Sequence, residues 1–302
     1  MIARTAWLLG LLLLALWPGQ SAAQSEAATT NDRWPAFSPD SRAIAFERSQ
    51  GKSMDIYVIG VDGTALRRLT REAPRVLAMS PAWFPDGRHI LYTTTDPASD
   101  YPSGSFFTIR SGGGEAQALG PAGARAHSIA PDGTSILFLT KSWAIARFDI
   151  PTASVTVLDI PGNGTWDTEG AWSPDGAQIA FGCNFSPNDR ASRSDICVMR
   201  ADGSNRHIVA RRADAGEWPT WSPDGTRLAF QADSKDFSHG SIVVADLADG
   251  TAIDISRATG YSLNETPAWS PDGRWIAFQV KAPDGYRIGV MHPNGSGFRL
   301  LT

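Results

Sequence analysis

The sequence predicts an all-β protein, a six-bladed β-propeller of four-stranded antiparallel blades. Three observations carry that prediction. A Pro-Asp turn motif recurs at Pro39, Pro85, Pro131, Pro174, Pro223 and Pro271, spaced 43–49 residues apart, and self-similarity at this period marks repeat architectures. The strand after each turn carries consecutive apolar residues, as in Ile44-Ala45-Phe46 and Ile276-Ala277-Phe278. No helical periodicity follows the first 23 residues, whereas strands bounded by turn signals recur throughout.

Each repeat has the same internal order. A short apolar piece comes first: "WPAF" from Trp34, "SPAW" from Ser80, "AHSI" from Ala126, "EGAW" from Glu169, "WPTW" from Trp218 and "TPAW" from Thr266. The Ser-Pro-Asp-Gly type of turn follows. Proline at its second position presets φ, and glycine at its fourth tolerates the exit geometry. The turn aspartates Asp40, Asp86, Asp132, Asp175, Asp224 and Asp272 are expected to bond their own backbone. Six copies of the Pro-Asp turn, four of them with serine before the proline, argue for architecture over catalysis.

A second strand comes next, Ala43–Phe46 in the first repeat and Trp275–Phe278 in the last. A variable loop then leads to a third strand, "DIYVI" at Asp55, "DICVM" at Asp195 or "RIGVM" at Arg287. Asp-Gly or Asn-Gly turns at 62–63, 202–203 and 294–295 are strong hairpin signals. The last strand ends the repeat, "RRLT" at Arg67 or "RLLT" at Arg299. Such a sheet is apolar on both faces and cannot stand alone in water. A closed ring gives every sheet two neighbours. In this phase the chain starts on an inner strand and ends on an outer one, so closure is expected from side-chain packing and not from a shared sheet.

The pattern "PAWSPDG..IAF...DIYV...DG...RLT" resembles the WD40-like (PD40) repeats of the TolB-type propeller family, over residues 34–302. The third repeat departs most, with Ile129 and Ala130 where an aromatic residue and serine are usual, and the first has Ser41 in place of glycine. The resemblance implies an envelope protein that docks to a partner, as TolB does with a peptidoglycan-associated lipoprotein in the Tol–Pal system. TolB carries an α/β domain before its propeller, and the expectation here is a propeller without one. Similar repeats accompany prolyl-oligopeptidase-type hydrolases, but those need a G-x-S-x-G elbow. The sequence has none; "NGSGF" at 294–298 lacks the first glycine.

Residues 1–23 read as a signal peptide: Arg4, an apolar run from Ala6 to Trp17, a Pro18-Gly19 break, and small residues Ser21 and Ala23 before the cut. That run is shorter than the ~18 residues of a spanning helix. Residues 24–33 read as a short leader. The expected location is periplasmic or secreted, with no membrane insertion after cleavage. The net charge is −4, or −5 without Arg4, and no basic run exceeds two residues. A phosphate-neutralising surface is therefore absent, which excludes nucleic acid as the expected partner.

Repeats differ where function can reside. The residue two before the first proline faces the start of the innermost strand, at the channel rim. Round the ring these are Arg33, Met79, Arg125, Thr168, Glu217 and Glu265. Arg33, Arg125, Glu217 and Glu265 are candidates to hold a polar ligand, a cation or a partner's side chains; a ring of structural ion pairs is the alternative. Trp83, Trp172, Trp221 and Trp269 are expected to pack between blades. Tyr101 and Phe185, in the longest loops, are candidate partner contacts, against a reading of those loops as mobile and polar. Cys183 and Cys197 are expected to form a disulfide across adjacent strands in an oxidising compartment; two buried free thiols are the alternative. Five scattered histidines supply no metal cluster, and no cofactor is implied beyond a possible channel cation.

The functional expectation is a monomeric, non-catalytic binding or scaffold propeller whose partner is another envelope protein. The alternative is a lyase or hydrolase acting on a glycan or small ester, with Glu217 and Glu265 as acid/base. Fold alone does not separate the two.

Overall fold

Short strands follow one another without an intervening α-helix in the described parts of the computed structural model, which are residues 29–72, 76–95, 104–122, 125–159, 167–183, 194–210, 215–234 and 238–302. The expected signal peptide, residues 24–28 of the leader, and Tyr101 and Phe185 lie outside these residues; the rest of the expected leader, from Thr30, is not a loose segment but the start of the first inner strand. The first meander is β1 (Thr30–Phe37), β2 (Ala43–Gln50), β3 (Ser53–Gly60) and β4 (Arg67–Arg68); the second is β5 (Leu77–Trp83), β6 (His89–Thr95), β7 (Ser105–Arg110) and β8 (Gln117–Ala122). Then come β9 (Arg125–Ile129), β10 (Ser135–Leu139), β11 (Ile145–Asp149) and β12 (Ser154–Asp159), followed by β13 (Ala171–Trp172), β14 (Gln178–Cys183), β15 (Asp195–Arg200) and β16 (His207–Ala210). The chain ends with β17 (Ala215–Trp221), β18 (Arg227–Asp233), β19 (Gly240–Asp246) and β20 (Ala252–Asp254), then β21 (Asn264–Trp269), β22 (Ile276–Ala282), β23 (Gly285–Met291) and β24 (Arg299–Leu300).

Pairing within each meander is antiparallel. Four sheets have four strands, and one has eight. The larger sheet differs from the expected separate sheets for a local reason. Leu77 enters β5 alongside β3, and a single parallel pair, Met54 with Leu77, joins the first two meanders.

The turns show why the motif recurs. Gly273 N–H donates to Ser270 O (2.9 Å), and Gly176, Gly225, Gly133 and Gly87 repeat the bond. Ser270 Oγ donates to Asp272 Oδ1 (2.6 Å) and accepts from Trp275 N–H (2.9 Å). Ser38, Ser173 and Ser222 do the same with Asp40, Asp175 and Asp224. The fourth turn residue has positive φ, +73° at Gly273, which glycine adopts without steric cost. Ser41 holds the same conformation, φ +59°. Its Oγ accepts from Asp272 N–H (3.0 Å), tying the first turn to the last.

Each meander packs against the next through one apolar cluster. Ile136 and Phe138 meet Leu91 and Phe106; Trp221 and Phe230 meet Ala180, Ile196 and Val198; Trp269 meets Ala229, Ile242 and Val244. The last meander meets the first in the same way, with Ala277, Ile288 and Val290 against Phe37, Ile44 and Phe46. No described strand of the first meander pairs with the last. Side chains bridge them instead. Tyr286 N–H donates to Asn31 Oδ1 (3.1 Å), Arg287 Nη1 to Thr30 O (2.7 Å) and Arg299 Nη2 to Val61 O (2.6 Å).

Candidate functional site

The innermost strands carry a repeated irregularity. In β1, Arg33 faces Glu47 and Ala36 faces Ala45, so Trp34 and Pro35 together oppose one residue. The same two-for-one bulge occurs at Ser80-Pro81, Trp218-Pro219 and Thr266-Pro267. The first residue of each is left-handed: Trp34 φ +55°, Ser80 +52°, Trp218 +50°, Thr266 +52°. A residue with a Cβ adopts this conformation at a cost of roughly 1–2 kcal/mol. It persists where surrounding contacts over-determine it.

Those contacts come from the preceding sheet. Ser80 N–H donates to Glu47 Oε2, and Thr266 N–H to Gln231 Oε1, both at 3.1 Å. Trp34 N–H donates to Gln279 Oε1, also at 3.1 Å, across the junction of last and first meanders. Ala126 N–H donates to Thr93 Oγ1 in the same sense. Glu47, Thr93, Gln231 and Gln279 each follow the aromatic residue of a second strand. Leu139 and Gly182 hold that place in the remaining meanders and have no side-chain acceptor.

The bulges converge on a cavity of about 390 Å³, walled by Trp34, Ser80, Ser128, Glu169, Trp218 and Thr266 among others, one from each inner segment. Trp34 and Trp218 meet edge to face with ring centres 5.6 Å apart, a favoured aromatic geometry. Both Thr266 Oγ1 and Trp218 Nε1 are buried without a hydrogen-bond partner.

Beside the cavity lies a group of carboxylates. Glu217 is 8 % exposed, and among the described residues nothing donates a hydrogen bond to it. Burial first, then Asp233, Glu169 and Glu265, push its carboxyl up to about 8. Burial also raises Asp233 to about 6, against two hydrogen bonds from Gln231 Nε2 at 2.9 and 2.8 Å. Glu265 accepts from Gln279 Nε2 (2.6 Å). Thus Gln231 and Gln279 each hold a carboxylate with the amide nitrogen and a strained backbone N–H with the amide oxygen.

The structure brings three of the four rim candidates into this region. Glu217 and Glu265 occupy equivalent registers, opposite Gln231 and Gln279. Arg33 lies in the same register opposite Glu47, its guanidinium 4.0 Å from the centre of the Tyr286 ring. Lys281 Nζ lies 4.7 Å from that centre. Burial, then Glu265, raises the Tyr286 hydroxyl. Among the described residues no ion pair joins Arg33 to Glu217 or Glu265. Arg125 pairs in register with Leu139; its side chain is not among those described. Trp34, Trp218, Glu169 and Asp233 escaped the sequence reading. The signal for the tryptophans was their place immediately before a proline in a strand that repeats.

Elsewhere, the turn aspartates are structural: hydrogen bonds from Ser222 and Thr226 hold Asp224 down at about 2. Cys183 and Cys197 are bonded, Cα–Cα 5.8 Å, across β14 and β15 and both buried. Trp83 and Trp221 Nε1 donate to Ala36 O and Ala171 O of the preceding sheets (3.2 and 3.1 Å). Among the described residues no three His, Cys, Asp or Glu side chains are placed to hold a metal ion. No described helix is long and apolar enough to cross a membrane.

Comparison with known proteins places these features. The family model for the PD40 TolB β-propeller domain matches residues 12–184, more than half of the chain. The Tol-Pal system protein TolB of Francisella tularensis subsp. mediasiatica is 30 % identical over 208 residues, covering 63 % of this chain and 43 % of that protein. The chain thus spans under half the length of the curated relatives it matches. TolB from Acinetobacter baumannii superposes with TM-score 0.68 at 20 % identity, over 89 % of this chain and 62 % of that one. An oligogalacturonate lyase solved with manganese superposes with TM-score 0.56 at 13 % identity, over 88 % and 90 %. These structural likenesses show the fold.

Proposed function

The chain belongs to the PD40 TolB β-propeller family, and on that premise we propose that it is a six-bladed propeller of the bacterial envelope that binds another envelope protein without catalysing a reaction. Six turn motifs, six interlocking apolar clusters and the division of the eight-stranded sheet at Met54–Leu77 support the blade count. The side-chain seam between first and last meanders supports a ring closed without a shared sheet. The signal-peptide pattern supports export to the periplasm or beyond, in line with the Tol-Pal system named for the TolB relatives; the proposal takes the chain as a monomer with no resident cofactor.

The observation that carries the reading is the cavity to which every inner segment contributes. A concave site whose walls mix aromatic rings with polar groups such as Ser80, Ser128, Glu169 and Thr266 suits a protruding segment of a partner. The test is co-purification of the tagged chain from the envelope fraction of its native host. A stoichiometric partner that is retained by the wild-type chain and lost with Trp218→Ala, at unchanged thermal stability, is expected. No retained partner, or retention indifferent to Trp218, overturns the reading.

One observation favours the enzymatic alternative. Glu217 is buried and holds its proton near neutral pH, as general acids do, on a fold shared with an oligogalacturonate lyase. Turnover of oligogalacturonate that vanishes with Glu217→Ala would favour it.

A further inference from the structure

Glu217 is an acid on the inner strand β17, next to Trp218 of the cavity wall. It is 8 % exposed, accepts no hydrogen bond from a described residue, and faces Asp233, Glu169 and Glu265. A buried carboxylate without a partner is costly. Arg33 and Lys281 lie on the ring of Tyr286; among the described residues, burial and three carboxylates shift the Glu217 carboxyl. Glu169 connects this acidic group to the cavity, since it lies in the cavity wall. A second, separate observation lies in the same wall. Thr266 is 5 % exposed, yet its Oγ1 has no hydrogen-bond partner. Trp218 Nε1 has none either. The cavity therefore offers acceptors for a charged head group, a donor for a carbonyl, and two indole rings for an aliphatic or planar group.

We propose that this cavity receives one arginine side chain of the protein partner, its stem and guanidinium plane against Trp34 and Trp218 and its head group at Glu169 and Glu217. The inference rests on the partner-docking reading above and names the chemistry recognised there. A guanidinium fits better than an ammonium because it is planar, weakly hydrated and stacks on aromatic faces. It also presents several N–H donors, which suits carboxylates and a hydroxyl converging from different strands. A bare divalent ion fits less well, because the described carboxylates do not gather three ligands at one point.

The test uses the intact chain and two short probes, acetyl-Gly-Arg-Gly-amide and its citrulline counterpart, which keeps the shape and loses the charge. Binding is followed by the indole NMR signals of Trp34 and Trp218 and by calorimetry in two buffers of different protonation enthalpy. The arginine probe is expected to bind saturably, roughly tenfold or more tighter than the citrulline probe, and to expel a proton on binding at neutral pH. Glu217→Gln is expected to weaken the arginine probe by a similar factor and to abolish the proton release, while melting no lower than wild type. Equal affinity for the two probes overturns the proposal. So does calcium or manganese chloride alone reproducing the indole shifts, or the absence of saturation at tens of millimolar probe. A full-length partner that binds wild type and Glu217→Gln equally would leave the docking reading intact and remove the arginine from it.

Discussion

Glu217 and the turn aspartates sit at opposite ends of the same physics. Asp224 is exposed but surrounded by donors, and its carboxyl is held down at about 2. Glu217 is buried with no donor among the described residues, and its carboxyl is raised to about 8. The two give stability opposite slopes with pH. An unfolded glutamate titrates near ~4.3. Between there and about 8 the folded chain binds the extra proton, so Glu217 favours folding most at low pH and loses that contribution as pH rises. Asp233 acts in the same direction up to about 6. Asp224 acts the other way, losing its contribution as pH falls below ~4 toward 2. Thermal stability is therefore expected to peak on the acid side of neutrality and to decline from about pH 5 to about pH 8. Glu217→Gln is expected to flatten that decline, gaining on the order of a few kcal/mol at alkaline pH; melting curves across this range check it. An unchanged slope in the variant would place the titration elsewhere.

Single residues also show what the sequence conceals. Trp34, Ser80, Trp218 and Thr266 each precede a proline, and that position ordinarily reads as extended chain. All four are left-handed because a bulge, and in three cases a side-chain acceptor from the preceding sheet, holds them there. Neither constraint is local to the residue. Glu169 was missed because it stands one position away from the aligned rim residues.

Strands, in contrast, were legible almost throughout. The second strand expected at 43–46 is the N-terminal part of β2, and that expected at 275–278 begins β22 from Ile276, because six copies of one pattern expose the turn and its flanking apolar residues. The clasps between sheets were not legible, since the position that makes them is Glu47, Thr93, Gln231 or Gln279, and holds Leu139 or Gly182 where no such clasp forms; the acceptor varies in residue type from one repeat to the next. Gln279→Ala removes the acceptor for Trp34 N–H and the donor to Glu265, and is expected to cost about 1–3 kcal/mol. In hydrogen exchange it is expected to speed β1 and β22 selectively; uniform loss of protection round the molecule would contradict a local seam. The β14–β15 hairpin carries the Cys183–Cys197 bond, with 14 residues of sequence separation. Cross-linking a loop of that length contributes roughly 3 kcal/mol. Reduction should lower the melting temperature accordingly, and alkylation without reduction should label neither cysteine; two labelled thiols in the native protein would overturn the pairing.

At the scale of the molecule, one constraint organises the rest. Ile44, Ala45 and Phe46 are fully buried although they are consecutive on one strand, so the sheet needs a neighbour on each face. Successive sheets supply one for the other, the first and last through Gln279, Asn31, Thr30 and an apolar cluster. Drawing the inner strands together leaves the cavity at their meeting point, with Trp34 and Trp218 in its wall. The outer strands instead expose Val155, Val157 and Ile253, scattered apolar side chains. The partner is therefore expected at the cavity and not at the outer rim. The most direct measurement is photocrosslinking in the native envelope, with benzoylphenylalanine placed at Trp218 in one protein and at Val155 in another. A single envelope protein captured from position 218 and not from position 155 is the predicted result; capture from position 155 alone, or from neither, would contradict a propeller that binds through its centre.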